Sequence, residues 1–444
     1  MIQPSSLSSS PSVQNRGVKV SAFIDASEPV VEPFGAKRVD CLEKAKLDAG
    51  SDLDATAQVF RSGTTPRQKM ISGLEKLGLN LAVPVLGGVL GGPVGLAVGL
   101  AVGAGMFVLG SGRQGLGEVM SALEQRKQLP DPDWKGMRRY EIAADQGPGF
   151  DSQAIASTDA RFHPQASDLT DLLSASMDPY RTNVVYVLGH GLGYRQSASM
   201  TVDALRDSLQ QATQKTGAQA DVLVMESCLM GNMEAMNELQ GAAKAAVVSE
   251  ETLAVDAMPV REMMADAAKN GGTPQEIARR MVDLASKEKG ISTLHAVDLT
   301  KMPTLMQSLD RLGEHLSAEI AGGKGPQIKA AVKQAMQYPQ GRLSFMERAM
   351  TKFSDLGGFL DALPTAGLGD ETAQAAIDAR NAMDEVVIGQ SHGEGYERAS
   401  GLSFQTSTRG LAGALDKSPE LEHYGDLSLP AGWRTFIRDL DGVK

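Results

Sequence analysis

The sequence predicts an α/β protein built on a mainly parallel sheet with helices on both faces. Three observations point there. Short apolar runs suited to buried strands alternate with helical patterns from about residue 136 to the end of the 444-residue chain. The composition, 42% hydrophobic and 22% charged, is that of a chain that folds and buries a core. Two of the strand-like runs end in clusters of polar residues and glycine, where sites assemble in a parallel sheet.

Taken in order, residues 1–65 are turn-rich and polar, with no sustained period, and predict a disordered N-terminal region. Residues 1–16 are Ser-rich and lack the apolar stretch of a secretory signal. That is compatible with membrane association, with export that needs no such signal, or with a cytoplasmic protein. Residues 66–135 hold a hydrophobic segment and a polar connector containing Pro130 and Pro132. From Leu77 to Gly112 no charge occurs, and Gly87, Gly91, Gly95, Gly99 and Gly103 recur every fourth residue. On a helix that spacing makes one stripe where a second helix can approach closely. Val94 to Gly112 is long enough as a helix to approach the thickness of a hydrocarbon core. A membrane-inserting helix or hairpin is favoured over a hairpin buried in a soluble domain, because glycine costs helix stability in water.

Residues 136–444 read as the α/β domain. Asn183–Leu188, Asp221–Met225, Ala245–Val248, Ser292–Val297 and Glu385–Ile388 are the expected strands. Val202, Leu205 and Leu209 line one face of a helix between the first two. Thr273-Pro274-Gln275-Glu276 is a capping box with proline at the first helical position, and Ile277, Met281 and Leu284 form the apolar stripe behind it.

Charge and cysteine usage narrow the function. The net charge of −11 makes nucleic acid a poor partner and attracts cationic ligands. Two cysteines, Cys41 and Cys228, cannot build a disulfide framework or a Cys-rich zinc site. The sequence has no GxSxG elbow, HExxH, P-loop or GxGxxG after a strand, which removes the commonest serine hydrolases, zincins and nucleotide enzymes.

Two strand ends remain. VVYVLGHGLG places His190 between Gly189 and Gly191, and DVLVMESCLMGNMEAMNEL places Glu226, Ser227 and Cys228 after a strand. Adjacent parallel strands would present His190 and Cys228 side by side. A thiolate is a nucleophile that a neighbouring imidazole activates. Taken singly, each residue is more simply a structural one; it is the joint placement, with glycines beside the histidine, that suggests chemistry. Cys41 lies in a polar helix-like stretch and looks incidental. His163, His295, His315, His392 and His423 lack ligand spacing with one another, and Met230, Met233 and Met236 read as helix packing.

GHG after an apolar strand, followed by ESCLMGNMEAMNEL, resembles the clostripain family of cysteine peptidases, which have a caspase-like fold. Cys228-Leu229-Met230, Glu234 and Ser249-Glu250-Glu251 stand where that family has its nucleophile segment, a helical Glu and a strand ending Ser-x-Glu. Residues 295–316, 355–363 and 399–404 match its later landmarks. The resemblance implies a cysteine endopeptidase with a His190–Cys228 dyad and an oxyanion hole of backbone N–H groups near Gly191 and Cys228. It also implies protein or peptide substrates with Arg or Lys before the scissile bond. The specificity carboxylate two residues before the nucleophile is Glu226 rather than Asp, and Ser227 replaces Ala. Asp256 is a second acidic candidate for the basic side chain. Family members often mature by cutting themselves after a basic residue, and Arg195 and Arg206 lie between the dyad residues. Calcium dependence varies in the family, and no cofactor, metal or calcium site is legible here. The alternative is a membrane-inserting or binding protein that carries a non-catalytic caspase-like platform.

Overall fold

The computed structural model describes residues 17–27, 31–61, 134–147, 151–161, 163–254, 256–288, 290–340, 352–408 and 423–443. The first elements are β1 (Val18–Ala26), α1 (Glu32–Ala49), β2 (Leu53–Arg61), β3 (Gly136–Glu141), β4 (Ala154–Thr158) and α2 (Ala166–Ser176). Next come β5 (Thr182–Leu188), α3 (Val202–Thr216), β6 (Ala220–Glu226), α4 (Met233–Leu239), β7 (Ala243–Val248), α5 (Val260–Asn270) and α6 (Pro274–Ala285). β8 (Thr293–Asp298), α7 (Met302–Glu319), α8 (Gly325–Gln334), β9 (Gln337–Tyr338), β10 (Phe353–Asp355) and α9 (Leu356–Ala362) follow. α10 (Asp370–Val386), β11 (Val387–His392), β12 (Ser403–Gln405) and α11 (Ala431–Gly442) complete the chain.

Nine strands form one sheet in the order β11-β8-β7-β6-β5-β1-β2-β3-β4. Its centre, β7-β6-β5-β1-β2, is parallel, and antiparallel strands close both edges. Helices cover both faces, so the central strands are buried on both sides and read as continuous apolar runs. Alternation divides them. Val185, Val187, Leu223 and Met225 join the core under α2, α3, α4 and α7. Val184, Tyr186, Val222 and Val224 join the opposite core under α1, α5 and α6. A small three-stranded sheet, β12-β10-β9, stands beside the main one.

The helix signals translate directly. Val202, Leu205 and Leu209 are buried along α3, which ends at Gly217 in the left-handed conformation. The Thr273 side chain accepts the Glu276 N–H at 3.2 Å while the Glu276 carboxylate accepts the Thr273 N–H at 2.8 Å, closing the predicted capping box.

Two expectations are corrected. Residues 18–61 are not a disordered tail but β1, α1 and β2, and β1 lies between β2 and β5 in the middle of the sheet. The stretch misled because it sustains no period as a whole; in the fold α1 has a buried face, and Val20, Ala22, Phe23 and Ile24 of the nine-residue β1 are fully buried. The α/β domain therefore starts near residue 18, not 136. The strand expected at 385–388 begins instead at Val387, because α10 runs on through Val386. Most of the hydrophobic segment and connector, including all of 77–112, and the Ser-rich 1–16 lie outside the described residues. Among the described residues no helix is long and apolar enough to cross a membrane.

Candidate active site

β5 and β6 are parallel neighbours in register, with Leu188 opposite Glu226. His190 and Cys228 each follow two residues beyond that pair, so both emerge at the same sheet edge, and both are partly exposed. The two loops touch along their backbones. A Cβ built on Gly191 would lie 2.2 Å from the Cys228 carbonyl oxygen and 2.8 Å from its nitrogen. Glycine is required there for close approach. The bridge between Gly191 and Ser197 is closed by Leu192 N–H to Gln196 O at 2.9 Å and by Ala198 N–H to His190 O at 2.8 Å. The Gly191 N–H takes no part in those bonds. The Cys228 sulfur accepts the Leu253 N–H at 3.4 Å and lies 3.6 Å from the Leu253 carbonyl.

Leu229, directly after the cysteine, is held at φ 62°, with its N–H on Glu251 O at 3.2 Å. A bulky residue in the left-handed region is strained and persists only where its surroundings impose it. The surroundings are a buried network of acids. Gly231 N–H donates to Ser249 O at 2.7 Å, and Ser403 N–H donates to Gly231 O at 2.9 Å. Glu250 accepts the Gly401 N–H at 3.0 Å, and Asp355 accepts Ser400 N–H at 2.7 Å and Gly358 N–H at 2.6 Å. Glu234 accepts the Gln405 N–H at 2.8 Å. Burial pushes Glu250 up to about 8 and Glu234 and Asp355 up to about 7. Burial also pushes His295, 3.1 Å from Glu250, down to about 4. The segments at 234, 249–251, 355–363 and 399–404 thus meet in one place, beneath the nucleophile loop.

The structure also brings Glu226 and Asp256 together, but on a guanidinium of this same chain. Arg38, on the buried face of α1, pairs with Glu226 Oε1 and lies 3.0 Å from Asp256 Oδ1. Glu226 Oε2 accepts the Tyr186 hydroxyl, and Glu226 Oε1 also accepts the Asp256 N–H at 2.9 Å. Glu226 is 3% exposed. It was expected to face the cleft with its charge open to a substrate; it is instead fully engaged within the protein. Ser227 meets the His190 loop, accepting from Ser197 Oγ at 3.3 Å.

Three residues escaped the sequence reading. Arg38 looks like any helix-surface arginine until the fold places it inside. Asp25, at the end of β1, accepts the Ser199 hydroxyl at 2.5 Å and the Ser27 hydroxyl at 2.5 Å, tying the loop that follows His190 to the neighbouring strand. Its signal was there to find, since Asp25 closes an apolar run just as Glu226 does. Asp355 was noticed only as part of a segment. Cys41 packs against the core under α1, and burial pushes its thiol up. Arg195 is 1% exposed, and Arg206 lies within α3, paired with Asp207 and Glu238, so neither offers an open extended bond for cleavage. Among the described residues no three His, Cys, Asp or Glu side chains converge to hold a metal ion.

Comparison with known proteins agrees with this architecture. No curated protein matches the chain. An inactive zymogen C11 protease from Parabacteroides distasonis is 11% identical, with a TM-score of 0.57 over 96% of this chain and 98% of that one. A secreted C11 cysteine protease from Bacteroides thetaiotaomicron, called iotapain, is 11% identical, with a TM-score of 0.56 over 95% and 99%. A secreted C11 cysteine protease of the same organism, in complex with an irreversible peptide inhibitor, is 11% identical, with a TM-score of 0.52 over 88% and 92%. At that identity the likeness is one of fold. The model of the clostripain family matches residues 184–412, which include the His190 loop, the Cys228 loop and the acid network beneath it. With both strand-end loops inside that match, the chain belongs to the clostripain family and is a cysteine peptidase.

Proposed function

We propose that the chain is an endopeptidase that uses a His190–Cys228 dyad to cut after basic residues. The observation that carries the dyad is the backbone contact of Gly191 with Cys228, which sets the two loops at one sheet edge. In the reaction, Cys228 gives its thiol proton to His190 and the thiolate attacks the scissile carbonyl. The N–H groups of Gly191 and Cys228 hold the oxyanion. His190 protonates the departing amine, leaving a thioester. Water, deprotonated by His190, attacks the thioester and releases Cys228. A basic preference is supported by family membership and by the Glu226–Asp256 pair, whose geometry already suits a guanidinium.

Self-cleavage belongs to the same proposal. With Arg195 and Arg206 set aside, the candidates include Arg67, Lys69, Lys76, Arg113, Arg126 and Lys127, all outside the described residues. The test uses wild type, Cys228→Ala and His190→Ala on matched peptides with Arg, Lys, norleucine or Asp before a reporter. Cys228→Ala abolishes hydrolysis and fragment formation, and His190→Ala lowers hydrolysis about 10²–10⁴-fold. A thiol probe labels Cys228 and not Cys41, whose thiol is pushed up by desolvation. Turnover surviving in Cys228→Ala refutes the dyad, and a wild-type preference for Asp refutes the basic pocket.

A further inference from the structure

On α1, Phe34, Arg38, Leu42 and Ala45 fall on one buried face, and Arg38 is 1% exposed. An arginine on an apolar stripe is rare unless its charge is paired. Its partners are the two carboxylates assigned above to a substrate's basic side chain. Nη2 donates to Glu226 Oε1, while Nη1 lies 3.0 Å from Asp256 Oδ1 and donates to Met258 O at 3.2 Å. Lys37, the preceding residue on α1, pairs with Asp256 Oδ2. Burial works against the Arg38 charge, but Glu226 and its neighbours outweigh it and raise its pKa. Two carboxylates thus face two cations of one helix, and the pair has no unbalanced charge to offer. Asp256, whose N–H reaches Glu226, and Leu253, which flanks the Cys228 sulfur, belong to the same segment after β7. Asp256 sits there at φ 73°, a strained conformation for a residue with a Cβ.

We propose that Arg38 is an internal occupant of the basic-side-chain pocket, competing with the substrate residue before the scissile bond for Glu226 and Asp256. The proposal rests on the assignment of those two acids to substrate. A substrate guanidinium reaching Glu226 must either displace Arg38, leaving a buried charge unpaired, or share its carboxylates against like-charge repulsion. Asp256, on the side of the partly exposed Lys37, is the carboxylate reached first. Arg38 thereby weakens selection for Arg and Lys, acting as a specificity-setting residue that touches the pocket and not the scissile bond.

The test compares full-length wild type, Arg38→Met and Arg38→Lys. Methionine keeps an unbranched chain between Phe34 and Leu42. In Arg38→Met the ratio of kcat/KM for an Arg peptide over a norleucine peptide rises about tenfold or more, through KM for the Arg peptide. Arg38→Lys, which cannot bridge both acids with a planar fork, raises it severalfold. Ethylguanidinium shifts the melting temperature of Arg38→Met upward and leaves wild type unmoved, a readout that needs no activity. An unchanged ratio together with no guanidinium binding overturns the proposal, as does an unchanged ratio in Arg38→Lys if Arg38→Met does not fold. Cleavage that persists in Cys228→Ala counts against the dyad instead, and the guanidinium measurement still decides the role of Arg38.

Discussion

Replacing Gly191 by alanine places one methyl group where the two active loops meet. The built Cβ stands 2.2 Å from the Cys228 carbonyl oxygen, 2.8 Å from its nitrogen and 3.0 Å from its carbonyl carbon. Every one of these atoms is backbone, so no side chain can swing aside. The loops must part by about 0.8 Å to bring the shortest contact to the 3.0 Å below which a Cβ essentially never comes. Overpacking of this kind costs about 1–3 kcal/mol of stability. The larger effect is on chemistry. A misplacement near 1 Å between reacting groups costs about 10²-fold, and Gly191 also carries one of the two proposed oxyanion donors. Gly191→Ala should therefore fold, with a melting temperature lowered by several degrees, and lose about 10²-fold or more in kcat/KM. The assay is steady-state hydrolysis beside the alkylation rate of Cys228 and near-ultraviolet circular dichroism. Alkylation should fall less than hydrolysis, because it needs the thiolate but no oxyanion hole. A folded Gly191→Ala protein within threefold of wild type would refute the reasoning, since the two loops would then not be in functional contact.

Glu250, Asp355 and Glu234 hold protons that unfolded carboxyls release, so their stabilisation is complete below the ordinary carboxylate range and is lost as pH rises through about 7 to 8. Unfolding free energy should fall between pH 6.5 and 8, and Glu250→Gln should flatten the decline by about 1.4 kcal/mol per pH unit; parallel slopes would remove Glu250 from the titration. β2 and β3 are antiparallel with Arg61 opposite Gly136, so the intervening chain leaves and returns at paired positions. Excising residues 66–130 should preserve folding, whereas deleting residues 1–61 removes β1 and β2 from the sheet and should prevent folding; a folded protein without β1 would contradict the topology.

The sequence was sufficient where the physics is local or periodic. The strands at 183–188 and 221–225 announce themselves because a strand buried on both faces can carry little but apolar residues. The capping box at Thr273 is legible because its partners are three residues apart. His190 and Cys228 were found because each follows such a strand, and adjacency in a parallel sheet needs only one assumption about strand order. Tertiary structure decided the rest. β1 was missed although its residues are apolar, since VKVSAFIDA is central only by virtue of pairing with both β2 and β5. Glu250, Asp355 and His295 are far apart in sequence and become one network only when β8, β10 and the end of β7 converge. The clearest case is Glu226. Glu226 closes β6 two residues before the nucleophile, as the order of the chain required. Whether its charge faces a substrate depends on Arg38, 188 residues earlier, whose helix lies against that face of the sheet. No local pattern encodes that contact, because an arginine inside a helix has the same sequence neighbours whether it points to water or to a buried carboxylate.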